Sequence, residues 1–158
     1  FVSGVLVLFL ASSGYSYYKN TAPFADSEPQ TRAYIDFLNK NNLTFGYGDF
    51  WKLSNNVNWL SENTIHITPV LWEDNYQIMF SSSRGQTLRS WLQPAFIGQS
   101  PERQFVSIPA LATAENNSEA NRRLAAIRQQ LGEPDEILTF ADMTFFIYNH
   151  RILFNSRP

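Results

Sequence analysis

The side chains of this sequence that could do chemistry are carboxylates, aromatic rings and amides. Asp49, Glu62, Glu73 and Asp74 could act as general acids or bases. Two such groups flanking one glycosidic bond, roughly 5–10 Å apart, would suit hydrolysis. Asp49 also fits a helix cap, and Glu73 and Asp74 fit a solvated loop. A second set combines rings with hydrogen-bonding groups. Trp51, Asn55 and Asn58 fall at i, i+4 and i+7, and Tyr47 and Asp49 lead into them. A ring can stack on a sugar face while an amide or carboxylate binds its hydroxyls. Tyr47, Asp49, Trp51, Asn55 and Asn58 are therefore the candidate ligand-binding residues. Tryptophans in such a pattern also serve as large core contacts, and that alternative stays open.

Other chemistries are refused by residue type or spacing. The chain has no Cys and two His, which excludes a disulfide framework, a zinc–thiolate site and a cysteine nucleophile. His66 reads as a packing residue within a strand, and His150 as an exposed residue after one. Gly46–Tyr47–Gly48–Asp49 stands where a phosphate cradle would, between a strand and a helix. The dinucleotide fingerprint needs a third glycine where Trp51 stands, and no Gly-Lys-Ser/Thr of a P-loop exists. Ser16–Tyr17–Tyr18–Lys19 matches Ser-x-x-Lys without its companion motifs, and no Gly-x-Ser-x-Gly elbow is present. No catalytic residue, metal ligand or cofactor is assigned. The triplets Asn42–Leu43–Thr44 and Asn116–Asn117–Ser118 fit glycosylation sequons.

These residues must be positioned by elements that the hydrophobic pattern outlines. Thr21–Gln30, with Pro23 and Pro29, reads as a linker, and Ser27 with Gln30 as a capping pair. Thr31, Tyr34, Ile35 and Leu38 form one helical stripe that ends at Asn41–Asn42. Leu43–Tyr47 predicts a strand, and Asp49 the N-cap of a helix with Phe50, Leu53, Val57 and Leu60 on its inner face. Ile65–Val70 predicts a second strand, with His66 and Thr68 opposite Ile65 and Ile67. A short helix within residues 85–92 and a strand over Phe105–Ile108 follow. A helix over residues 118–131 is closed by Gly132 and Pro134. Ile137–Phe140 and Thr144–Tyr148 form a hairpin. This alternation predicts an α/β domain of two or three layers, with a mainly parallel sheet and a C-terminal antiparallel hairpin.

Composition narrows the class. Charged residues are 16% against a usual ~25%, while 44% are hydrophobic and 15% aromatic. Twelve basic and 14 acidic residues are spread evenly, for a net charge of -2 and a pI near 5.6. That balance argues against a nucleic-acid partner. Part of the apolar surplus sits in Phe1–Ala11, and Tyr15, Tyr17, Tyr18 and Lys19 follow it as a membrane interface favours. Eleven residues are too few to span a bilayer. The expectation is the end of a transmembrane helix over residues 1–19, leading into one soluble domain over residues 20–158. A signal-peptide core and a buried core element remain alternatives.

The stretch Leu43–Thr44–Phe45–Gly46–Tyr47–Gly48–Asp49–Phe50–Trp51, the helix ending Trp59–Leu60–Ser61, and Ile65–Val70 resemble a known pattern. It is that of the C-terminal soluble region of bacterial membrane proteins related to the dolichyl-phosphate-mannose protein mannosyltransferase-like glycosyltransferases of the GT-C class. Leu131–Gly132–Glu133–Pro134 and the hairpin after it are also similar. The resemblance covers roughly residues 1–70 and 120–154. It implies a membrane-anchored domain facing the periplasm or cell exterior. It also implies a catalytic carboxylate elsewhere in the parent protein, and a glycan or lipid-linked sugar as ligand. The expected function is a non-catalytic accessory domain of a glycosyltransferase-like protein. A free-standing exported carbohydrate-binding module and a carboxylate-dependent hydrolase are the alternatives.

Overall fold

Two central strands carry apolar residues at nearly every position, as strands covered on both faces must. They are β5 (Gln104–Pro109) and β7 (Met143–Tyr148), seen in a computed structural model that describes residues 2–73, 75–79, 87–109 and 118–153. With β1 (Phe45–Gly48), β2 (His66–Pro69) and β6 (Glu136–Phe140) they build a five-stranded sheet in the order β2-β1-β5-β7-β6. β1 runs parallel to β2 and β5, and β7 runs antiparallel to β5 and β6. The sheet is thus mixed, with parallel strands at one end and the expected hairpin at the other. A separate pair, β3 (Leu71–Trp72) and β4 (Ile78–Met79), lies outside it.

Helices cover both faces, giving the three layers of an α/β domain. On one face, α1 (Val2–Lys40), a π-helical turn (Phe50–Ser54) and α2 (Asn55–Leu60) enclose Tyr34, Leu38, Leu53, Val57, Phe105 and Phe145. On the other, α3 (Pro94–Ile97) and α4 (Ser118–Leu131) enclose Phe45, Tyr47, Val106, Ile127, Phe146 and Tyr148. Each fully buried Leu, Ile or Phe contributes about 1.5–3 kcal/mol through area removed from water. The α4 stop falls at Gly132, whose φ of 88° suits a residue without Cβ. The short helix expected within residues 85–92 is a 3-10 turn at Arg89–Leu92, and residues 85 and 86 lie outside the described residues. Asp74, Asn116 and Asn117 lie outside them too.

The linker expected over Thr21–Gln30 is instead part of α1, which runs unbroken for 39 residues. Pro23 and Pro29 take away the donors that would reach the carbonyls of residues 19 and 25, yet the helix continues through both. Beyond Pro29 the helix is held by the Glu28–Arg32 pair at 2.7 Å and by Thr31, Tyr34 and Leu38 on the sheet. Ser27 is therefore interior to a helix and does not cap one. Asn42, at φ 55°, ends α1 as expected.

The direction of α1 follows from its contacts. The Tyr34 hydroxyl donates to Asp142, in the β6–β7 turn, while the Asn41 carbonyl accepts from Arg103 at 3.3 Å, just before β5. Residues before Thr31 therefore project past the end of the sheet where β1 and β5 finish.

The outer edge of β2 is closed by side chains. The Ile67 N–H donates to Asn58 Oδ1 at 2.8 Å. The Ile67 carbonyl accepts from Asn58 Nδ2 at 3.0 Å and from Ser54 Oγ at 2.6 Å. Ser61 Oγ serves both the N–H and the carbonyl of Ile65, each at 3.3 Å. Pro69 has no N–H to offer, and its carbonyl accepts from Thr87 at 2.6 Å. Each group that faces away from β1 is thus answered by an adjacent side chain or removed.

Candidate functional site

The Gly46–Tyr47–Gly48 strand exists because two neighbours lie against it. A Cβ on Gly46 would sit 2.6 Å from the Phe105 ring, and one on Gly48 would strike Ser107 Oγ. Both glycines face the α1/α2 side, and Tyr47 between them faces the other. The strand then turns into the π-helical segment, which Asp49 caps by accepting the Lys52 N–H at 2.8 Å. This N-cap role is the ordinary one anticipated for Asp49.

The five candidate ligand residues do not converge. Tyr47 is 0% exposed and packs among Phe45, Val106 and Phe146, so it is not part of a surface. Burial also raises its pKa well above the ordinary tyrosine value. Asn58 is engaged with both peptide groups of Ile67. Trp51 and Asn55 do share the outer side of the helix, and Trp51 is 70% exposed. Trp59, one turn beyond Asn55, joins them at 80% exposure. The assembled surface is therefore Trp51–Asn55–Trp59, with Lys52 beside it. Its signal in the sequence was spacing by four, which continues from Asn55 to Trp59 and places both rings opposite Leu53 and Val57.

A second polar group lies at the end of the sheet where β1 and β5 finish. Lys52 Nζ lies 3.9 Å from Asp142 Oδ2, and the buried Tyr34 hydroxyl donates to the other carboxylate oxygen. Burial first, and then the hydrogen bond to Asp142 and its charge, push the Tyr34 pKa upward. β2 and β5 flank β1 on opposite sides, so this end is also a topological switch point, where open α/β sheets bind ligands.

His66 is built into packing. Its ring stacks on Phe45 at 5.2 Å and meets Trp91 and Phe96 edge-on at 4.7 and 5.2 Å. Burial pushes its pKa down to about 4. His150 is exposed, with its ring against Tyr148. Tyr148 donates to the Gly132 carbonyl at 3.3 Å, and burial pushes its pKa up to about 12. Asp49 and Glu62 stand at opposite ends of the 50–60 helical segment, roughly 15 Å apart. That exceeds the roughly 5–10 Å of a paired glycosidase site. Among the described residues, no three His, Asp or Glu side chains gather as metal ligands do. No helix among the described residues is long and apolar enough to cross a membrane. Compared with known proteins, the chain matches no protein-family model, no curated protein and no solved structure.

Proposed function

We propose that this chain is a non-catalytic, extracytoplasmic accessory domain, attached to a membrane through α1, that offers the Trp51–Asn55–Trp59 face to a glycan or lipid-linked sugar. The observation that carries this reading is the contrast within α1. Thr31, Tyr34 and Leu38 are buried on the sheet, yet Val7, Leu8, Phe9 and Leu10 are all exposed, Phe9 by 66%. Four consecutive helical residues cover about 300° of circumference, so the apolar surface is not a stripe seeking one protein face. Lipid satisfies such a surface on all sides. Val2–Ala11 is about 15 Å long, enough for half of a ~30 Å hydrocarbon core. Exposed Tyr15, Tyr17 and Tyr18 follow at the depth where aromatic rings favour the headgroups. Alternating rings and an amide on the outer helix suit a ligand with apolar faces and hydroxyl rims. The association with a glycosyltransferase-like parent rests on the sequence resemblance alone, carried by residues 43–51, 59–61, 65–70 and 131–134 with the hairpin after them.

Flotation of the full chain with phosphatidylcholine vesicles tests the attachment. The native chain is expected to float, and a Val7→Glu/Phe9→Glu variant to stay behind; a native chain that does not float overturns the attachment. Tryptophan fluorescence during titration with a soluble β-linked hexasaccharide tests the ligand. A spectral change that is lost in both Trp51→Ala and Trp59→Ala supports the site, and no change removes it. Sugar binding without flotation would instead favour the free-standing binding module.

A further inference from the structure

We infer that β6 is a docking edge for an extended segment of another polypeptide, which adds to the sheet as a sixth strand. β6 ends the sheet opposite β2. It is joined to β7 by a two-residue turn, Ala141–Asp142, with Phe140 opposite Met143. In such a hairpin Phe140, Leu138 and Glu136 exchange hydrogen bonds with β7, so Ile137 and Thr139 direct their N–H and carbonyl groups outward. Among the described residues no strand or side chain pairs with that outward row. The usual guards of an edge are lysine, proline or a cover. β6 has no lysine or proline, and no strand covers it among the described residues. Its single charge, Glu136, is bonded to Arg103 at 2.7 Å, and Ile137 is 46% exposed. The opposite edge is closed at Ile65, Ile67 and Pro69, so the fold has the means of closing an edge, and among the described residues it does not use them here.

Geometry and charge identify the occupant. Two copies pairing β6 antiparallel would be related by a two-fold axis normal to the sheet, which sends their α1 helices in opposite directions. That cannot be reconciled with attachment to one membrane, so this exclusion rests on the membrane reading. A symmetric parallel pairing fails by itself. Both Ile137 residues would face outward at one level, whereas a parallel ladder alternates. With self-pairing excluded, the proposed occupant is a different chain. Three carboxylates, Glu133, Asp135 and Glu136, gather at the start of β6 against two guanidiniums, Arg128 and Arg103. Glu133 and Glu136 are paired with the guanidiniums, whereas Asp135 accepts the Asn149 N–H at 2.7 Å and has no ion pair among the described residues, which favours a peptide with Lys or Arg at that end, next to alternating apolar and polar residues.

Hydrogen exchange of the full chain in detergent micelles tests this, with a synthetic peptide of alternating Thr and Val ending in Lys-Arg. The Ile137 and Thr139 amides are expected to slow at least tenfold with peptide, and not with its backbone N-methylated form. Thr139→Pro, which removes an outward donor, and Thr139→Lys, which restores an edge guard, should both abolish the protection while the native circular dichroism is kept. Unchanged exchange in the native chain overturns the inference, as does protection through self-association in sedimentation. An equal response to a peptide ending in Glu-Glu overturns the charge assignment. Protection without vesicle flotation, with the chain monomeric in sedimentation, would leave the docking edge standing and remove the membrane reading.

Discussion

The two ends of the sheet solve the same problem in opposite ways. At β2 the outward peptide groups are met by Asn58, Ser54, Ser61 and Thr87, and Pro69 deletes one donor. At β6 the outward groups of Ile137 and Thr139 meet no strand among the described residues. Side chains from the segment after β1 thus do at one end what a neighbouring strand would do. Ser54, Asn58 and Ser61 are therefore structural, although the spacing of Asn58 beside tryptophans suggests ligand chemistry.

Substitutions can break this contrast, beginning with the closed edge. Asn58→Leu leaves the Ile67 N–H without its acceptor and the carbonyl with Ser54 alone. A loss of about 2–3 kcal/mol is expected, read as a lower urea midpoint at unchanged slope. Asn58→Asp, which keeps the acceptor for the N–H, should recover part of it.

Next in size is the pH response of the same strand. His66 titrates near 4 when folded against about 6.5 when unfolded. Between those values the unfolded chain binds more protons, so stability is complete above pH 6.5 and falls as the pH drops toward 4. Allowing for solvent screening at a half-buried ring, the change is on the order of 1–2 kcal/mol. Urea midpoints across that range should slope in the native chain and flatten in His66→Phe.

Ser54→Ala should cost about 1 kcal/mol, less than Asn58→Leu, because the Ile67 carbonyl keeps Asn58. The smallest effect is expected at the open edge. Ile137→Lys should change thermal stability by less than about 0.5 kcal/mol, since the residue is already half in water. If it costs as much as Asn58→Leu, the two ends are not different in the way described.

What could be read from the sequence was local. The Asp49 cap, the 118–131 helix, the Gly132 stop and the hairpin each depend on residues within a few positions. The buried side of β1 was not readable. Phe45 and Tyr47 share one face of β1 and are buried there under α3 and α4, while the two glycines occupy the other face, so neither face of the strand is a surface. The role of Asn58 depends on Ile67, nine residues away across a turn. Pro23 and Pro29 signalled a break that the backbone does not make: α1 runs through both despite the lost donors. The exposure of Trp51 and Trp59 ran against the tendency of large rings to be buried, and only the positions of Leu53 and Val57 on the opposite side account for it.

The continuity of α1 has a mechanical meaning. A coiled linker would act as a leash, with a spread of end-to-end distances. A helix acts as a ruler. From Lys19 to Thr31 it spans about 18 Å, so the tyrosine cluster and the sheet are held at one separation. The helix holds that separation through two prolines, which take two hydrogen bonds out of the same stretch.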